Sequence, residues 1–187
     1  MPVKCVTVVL ADDHTMVRES LARVLEESGR VAVAGQASNG RELIELVRQN
    51  PPDCVVVDYS MPELDAPGAI EQLLQEKTNL KILVLTLHEN VHYAFRALEA
   101  GAHGYIIKSA AVDELVQAID AVSRGNVYIS PKVSQEVWAQ LRRPKRARAG
   151  LESLSSREFD TLRILGSGAS LQECGQQLNV SVSTVST

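Results

Sequence analysis

From Val6 onward, short apolar runs alternate with longer segments in which apolar residues recur every three or four positions. The short runs read as strands at 6–11, 31–37, 54–58, 81–86 and 104–108. The longer ones read as amphipathic helices, with Val17, Leu21 and Val24 on one face, then Leu43, Ile44 and Val47; Ile70, Leu73 and Leu74; Val91, Ala94, Phe95 and Leu98; and Leu115, Val116, Ile119 and Val122. Regular β–α alternation predicts a parallel sheet covered on both faces, an α/β doubly wound domain of five strands and five helices over residues 1–124.

Residues 125–131 break that pattern. Val133, Val137, Trp138 and Leu141 then suggest a short amphipathic helix, followed by the basic run Arg142, Arg143, Lys145, Arg146 and Arg148. Residues 125–150 are therefore expected to form a linker whose charge is either solvated or aimed at phosphates. Beyond it, Ser155 with Glu158 and Ser170 with Glu173 have capping-box spacing, and Ser181 is placed to cap a third helix. Three short helices at 151–187 predict a small all-α helix-turn-helix unit.

The 187 residues, 45% hydrophobic and 22% charged, suit one full domain and a smaller second one. The net charge of −4 divides unevenly: residues 1–141 carry −7, and 142–187 carry +3. With no secretory segment and no apolar stretch long enough for a bilayer, the expectation is a cytoplasmic protein with no membrane partner. Cys5, Cys54 and Cys174 lack metal-ligand spacing and read as reduced thiols in packing positions.

Polar residues mark the carboxyl ends of the expected strands: Asp12 and Asp13 after the first, Asp58 at the third, Thr86 at the fourth and Lys108 at the fifth. Open α/β sheets bind ligands at that edge, and the flavodoxin-like order 2-1-3-4-5, taken here from known doubly wound folds, makes the first and third strands neighbours. Taken singly, Asp12 or Asp13 is more simply a helix cap, Asp58 a turn carboxylate, Thr86 a strand residue and Lys108 a surface lysine. Together, three carboxylates at one crevice repel unless a hard cation sits among them, which predicts Mg2+. One carboxylate can then act as nucleophile toward phosphorus, with Lys108 and Thr86 stabilising the transferring group. His14, His88, His92 and His103 form no metal-spaced set and are read as surface or packing residues.

The segments Leu10-Ala-Asp-Asp-His14, Val55-Val-Val-Asp-Tyr-Ser-Met-Pro62, Val84-Leu-Thr86 and Gly104-Tyr-Ile-Ile-Lys108 resemble the signature positions of two-component response-regulator receivers. The resemblance implies that Asp58 accepts a phosphoryl group from a histidine kinase. It implies that Asp12, Asp13, Asp58 and the backbone carbonyl of Ser60 bind Mg2+, that Lys108 pairs with the phosphoryl group, and that Thr86 and Tyr105 form a switch. Ala66 and Pro67 depart from the family where a glycine is usual, and Ser109 stands where many receivers have proline.

Residues 151–187 resemble the opening part of a NarL/FixJ-type output domain. This implies transcriptional regulation through duplex DNA, homodimerisation on phosphorylation, and a third helix in the major groove with Ser183, Thr184, Ser186 and Thr187 at the DNA. The chain reaches Thr187 barely into that helix, so only part of the reader is expected. Gly175 replaces a customary alanine, and Ser186 replaces a frequent cation. The resemblance implies a regulator, not an enzyme, apart from its own phosphoryl transfer.

Rival chemistries fit less well. A haloacid dehalogenase-type phosphotransferase needs a second acid two residues after its nucleophile, where this chain has Ser60. A phosphate-cradling loop needs Lys-Ser/Thr after its last glycine, where Gly40 precedes Arg41 and Glu42.

Overall fold

The computed structural model describes residues 5–77, 79–110, 112–141, 156–167, 169–178 and 180–181. The chain divides into two compact units, Met1–Leu141 and Arg142–Thr187.

Among the described residues of the first unit, β1 (Val6–Ala11), β2 (Val31–Ala37), β3 (Cys54–Asp58), β4 (Lys81–Thr86), β5 (Gly104–Ile107) and β6 (Tyr128–Ile129) form one parallel sheet in the order β2-β1-β3-β4-β5-β6. The expected order holds, but the sheet has a sixth strand at its edge. The cause is local. Helix α5 (Val112–Ser123) is closed off two residues on by Gly125, whose φ of 87° suits a residue without a Cβ, and the amide of Asn126 donates back to the Ala121 carbonyl. The chain then returns along β5, where the amides of Tyr128 and Ser130 donate to the carbonyls of His103 and Tyr105. A Cβ on Gly104 would stand 2.9 Å from the Tyr128 carbonyl oxygen and 2.7 Å from Leu83 Cδ1, so glycine permits this close pairing. The fifth strand stops at Ile107, one residue earlier than expected: the Lys108 amide still donates to the Thr86 carbonyl, and the chain then turns as the Ala110 amide donates to the Ile107 carbonyl.

Helices α1 (Thr15–Glu27) and α5 pack on one face of the sheet, where Val8, Leu10, Val56, Leu83, Leu85 and Ile106 meet Leu25, Leu115, Ile119 and Val122. The alternate residues Val9, Val55, Val57, Ile82 and Val84 point the other way. They are also buried, on the side of α2 (Gly40–Gln49), α3 (Ala66–Glu76) and α4 (Val91–Glu99). Side chains of Asn39, Asp65 and Asn90 accept backbone N–H groups at the starts of these three helices. The unusual Ala66-Pro67 pair opens α3, where a missing proline N–H leaves no bond unmade, and the Ala66 amide donates to the Tyr59 carbonyl.

The expected helix after the receiver is α6 (Pro131–Leu141). It packs on α4 with Val133 and Val137 buried. The basic run at 142–148 lies outside the described residues.

In the second unit, α7 (Ser156–Gly166) and α8 (Leu171–Gln177) pack together, with Ile164 and Cys174 buried. The Ser170–Glu173 capping box forms reciprocally: the Glu173 amide donates to Ser170 Oγ, and Glu173 Oε2 accepts the Ser170 amide at 2.7 Å. Ser155, and the Ser183, Thr184, Ser186 and Thr187 expected at the DNA, lie outside the described residues.

Candidate functional site

At the carboxyl edge of the sheet, β1 and β3 lie side by side, with Ala11 opposite Val57. This register brings Asp12, the residue after β1, to Asp58, the last residue of β3. Both are buried, at 3% and 5% exposure, whereas Asp13 is exposed. Lys108, just past β5, reaches across β4 and places Nζ 2.7 Å from Asp12 Oδ2 and 2.9 Å from Asp58 Oδ2. One ammonium thus compensates two buried carboxylates, the arrangement that buried charges need.

These groups perturb one another. Burial pushes the Asp58 carboxyl up, Lys108 pulls it partly back, and the charges of Asp12 and Asp13 add to the rise. For Lys108, burial works downward, but the hydrogen bond to Asp12 and the charge of Asp58 outweigh it and leave the ammonium's pKa raised. Lys108 therefore stays charged.

Ligand atoms of Asp12, Asp13, His14 and Asp58 all lie within 4.8 Å of one another. The three carboxylates provide a hard-oxygen donor set compatible with a magnesium ion. His14, expected as a surface or packing residue, is exposed and belongs to this cluster. Its position next to the acidic pair at a strand end is the signal that could have marked it.

Thr86, Tyr105 and Ser60 meet at a second residue also read only as packing or surface, His88. Thr86 Oγ1 accepts the His88 amide at 3.1 Å, the Tyr105 hydroxyl donates to the His88 carbonyl at 2.8 Å, and His88 Nε2 lies 3.0 Å from Ser60 Oγ. The His88 ring stacks on Tyr93 at 4.1 Å, and Tyr59 meets both rings edge-on. Thr86 and Tyr105 are fully buried. No local pattern shows that hub, because its members come from four separate stretches of chain.

Among the described residues, no helix is long and apolar enough to cross a membrane.

Residues 8–120 match the response regulator receiver domain family. The chain is 33% identical over 180 residues to the response regulator UvrY of Escherichia coli (strain K12), a match spanning 96% of this chain and 83% of that protein. A two-component response regulator of the LuxR family from Aurantimonas sp. SI85-9A1 superposes with a TM-score of 0.71 at 35% identity, covering 75% of this chain and all of that one. The response regulator in an RcsB–DNA complex gives a TM-score of 0.68 at 26% identity over 98% of this chain and 87% of its own. A receiver matched over most of the first unit, together with response-regulator relatives that align along nearly the whole chain, places this protein in the NarL/FixJ-type family of two-component response regulators, which control transcription.

Proposed function

We propose that Asp58 is the phosphoacceptor, taking a phosphoryl group from the phosphohistidine of a histidine kinase. The observation that carries this reading is the bridge from Lys108 to both Asp12 and Asp58 at the carboxyl edge of the sheet. An Asp58 carboxylate oxygen attacks phosphorus, the P–N bond of the donor breaks, and the leaving imidazole retains the electron pair and takes up a proton. Lys108 is close enough to pair with an equatorial phosphoryl oxygen, and the Thr86 hydroxyl can turn from the His88 amide to a second. Asp12, Asp13, Asp58 and the Ser60 carbonyl would hold Mg2+, which when bound offsets negative charge on the phosphoryl oxygens.

The same contacts support a switch. If Thr86 Oγ1 turns to the phosphoryl group, the His88 amide loses its acceptor, and the Tyr105 bond to the His88 carbonyl has to rearrange with it. Loop 87–90 and α4 would shift, altering homodimerisation and the activity of the second unit on duplex DNA. DNA binding by this chain rests on its likeness to the regulator in the RcsB–DNA complex.

The test is phosphorylation by a small-molecule phosphodonor with Mg2+. Wild type should be labelled and Asp58→Asn should not. Labelling of Asp58→Asn at the wild-type level would overturn the assignment.

A further inference from the structure

His14 precedes the first residue of α1 and occupies its N-cap position, yet its side chain makes no capping hydrogen bond. Serine, threonine, aspartate and asparagine cap helices well because a short side chain can reach the exposed amides, which a bulky imidazole does poorly. The ring turns back toward the acidic cluster instead, with Nδ1 2.8 Å from Asp13 Oδ1 and 3.4 Å from Asp12 Oδ1. The backbone supports this orientation, since the His14 amide donates to Asp12 Oδ1 at 2.8 Å. The side chain is 65% exposed, so the ring can present a nitrogen to the site without being stripped of water on all sides.

We propose that His14 is a fourth side-chain donor at the cation site, beside the three carboxylates, and biases it toward first-row divalent transition ions, Mn2+ among them, over Mg2+. This inference rests on the reading of the acidic cluster as a cation site. Carboxylate and carbonyl oxygens serve Mg2+ and Mn2+ alike, whereas an imidazole nitrogen favours transition ions and gives little to Mg2+, which keeps oxygen and water around it. The chemistry is selective because one nitrogen joins three carboxylates whose ligand atoms lie within 4.8 Å of it and of one another.

The competing account makes His14 only a counter-ion of Asp13. It predicts the opposite sign. A protonated ring would repel every divalent cation to a similar degree, so its removal would tighten Mg2+ and Mn2+ together.

The experiment uses the full 187-residue chain, with Mn2+ and Mg2+ themselves as probes. Electron spin echo modulation of bound Mn2+ should show a directly coordinated imidazole nitrogen in wild type and lose it in His14→Ala. His14→Asn, which restores a good cap but has no ring nitrogen, should lose it too, separating ligation from fraying of α1. In binding titrations, His14→Ala should weaken Mn2+ about tenfold and leave Mg2+ nearly unchanged, on the scale of a lost contact at a metal site. No nitrogen modulation in wild type, its persistence in His14→Ala, or a parallel change in both affinities overturns the role of His14 while leaving the cation site standing. Failure of wild type to bind either ion, or unchanged binding of both in Asp13→Ala, overturns the cation site and the inference together.

Discussion

The Tyr105 hydroxyl donates to the His88 carbonyl across 2.8 Å, so a residue of β5 holds the loop that leaves β4. Thr86 holds the same residue from its other side, through the His88 amide. Tyr105→Phe keeps the buried ring and removes only the hydroxyl. The expected result is a loss of about 1 kcal/mol in global stability, the usual net value of one intramolecular hydrogen bond. Amide exchange at residues 87–90 should also quicken. Urea denaturation and hydrogen-exchange mass spectrometry measure the two effects. Unchanged exchange in that loop would show that the clamp does not restrain it.

Lys108→Met replaces the ammonium that lies between Asp12 and Asp58 with an apolar chain of similar length. Without divalent ions, two buried carboxylates would then face each other uncompensated, and stability should fall by about 3–5 kcal/mol. Added Mg2+ should recover part of the loss, because an ion bound only to the folded state supplies the missing positive charge. The check is the urea midpoint with and without MgCl2, and an equal deficit in both would argue against a cation shared by these carboxylates.

Much of the receiver's layout was legible because its strands are short apolar runs bounded by polar residues. Val6–Ala11, Val31–Ala37, Cys54–Asp58 and Lys81–Thr86 fall where the pattern placed them. The Tyr128–Ile129 strand escaped notice because two residues carry no periodicity, and the signal lay instead in Gly104, whose missing side chain admits the neighbour. Strand ends likewise pointed to Asp12, Asp58, Thr86 and Lys108. His14 and His88 did not stand out. Their placement depends on ring orientation and on contacts between distant loops, which a one-dimensional pattern does not encode.

The three cysteines should differ sharply in reactivity. Cys5 is exposed, whereas Cys54 and Cys174 are fully buried. Burial, aided by the charge of Asp53, pushes the Cys54 thiol up to about 12. Alkylation at mildly alkaline pH should therefore modify Cys5 quickly and reach the other two only on unfolding. The raised Cys54 pKa also has a stability consequence. The unfolded chain ionises near its ordinary value of 9.0, so this contribution is complete below that pH and disappears as the pH rises toward about 12. Pulsed alkylation with mass spectrometry gives the site-specific rates, and fast native labelling at Cys54 would contradict its burial.

His103 should make the fold sensitive to mild acid. Burial, and after it the Lys81 ammonium 3.3 Å from Nε2, hold the imidazole pKa below its ordinary 6.5. Because the unfolded chain takes up this proton first, the unfolded state binds more protons as the pH falls below 6.5. The contribution to stability is thus present above that pH and is lost as the pH falls through the folded-state pKa. Unfolding free energies measured at about pH 7.5 and about pH 5.5 should show a larger acid-side loss in wild type than in His103→Gln, which has no proton to gain in this histidine range. Lys81→Met removes the nearby charge without removing the imidazole, so the His103 pKa followed by NMR should move back toward 6.5. If wild type and His103→Gln lose stability equally over this interval, the acid sensitivity arises elsewhere in the molecule.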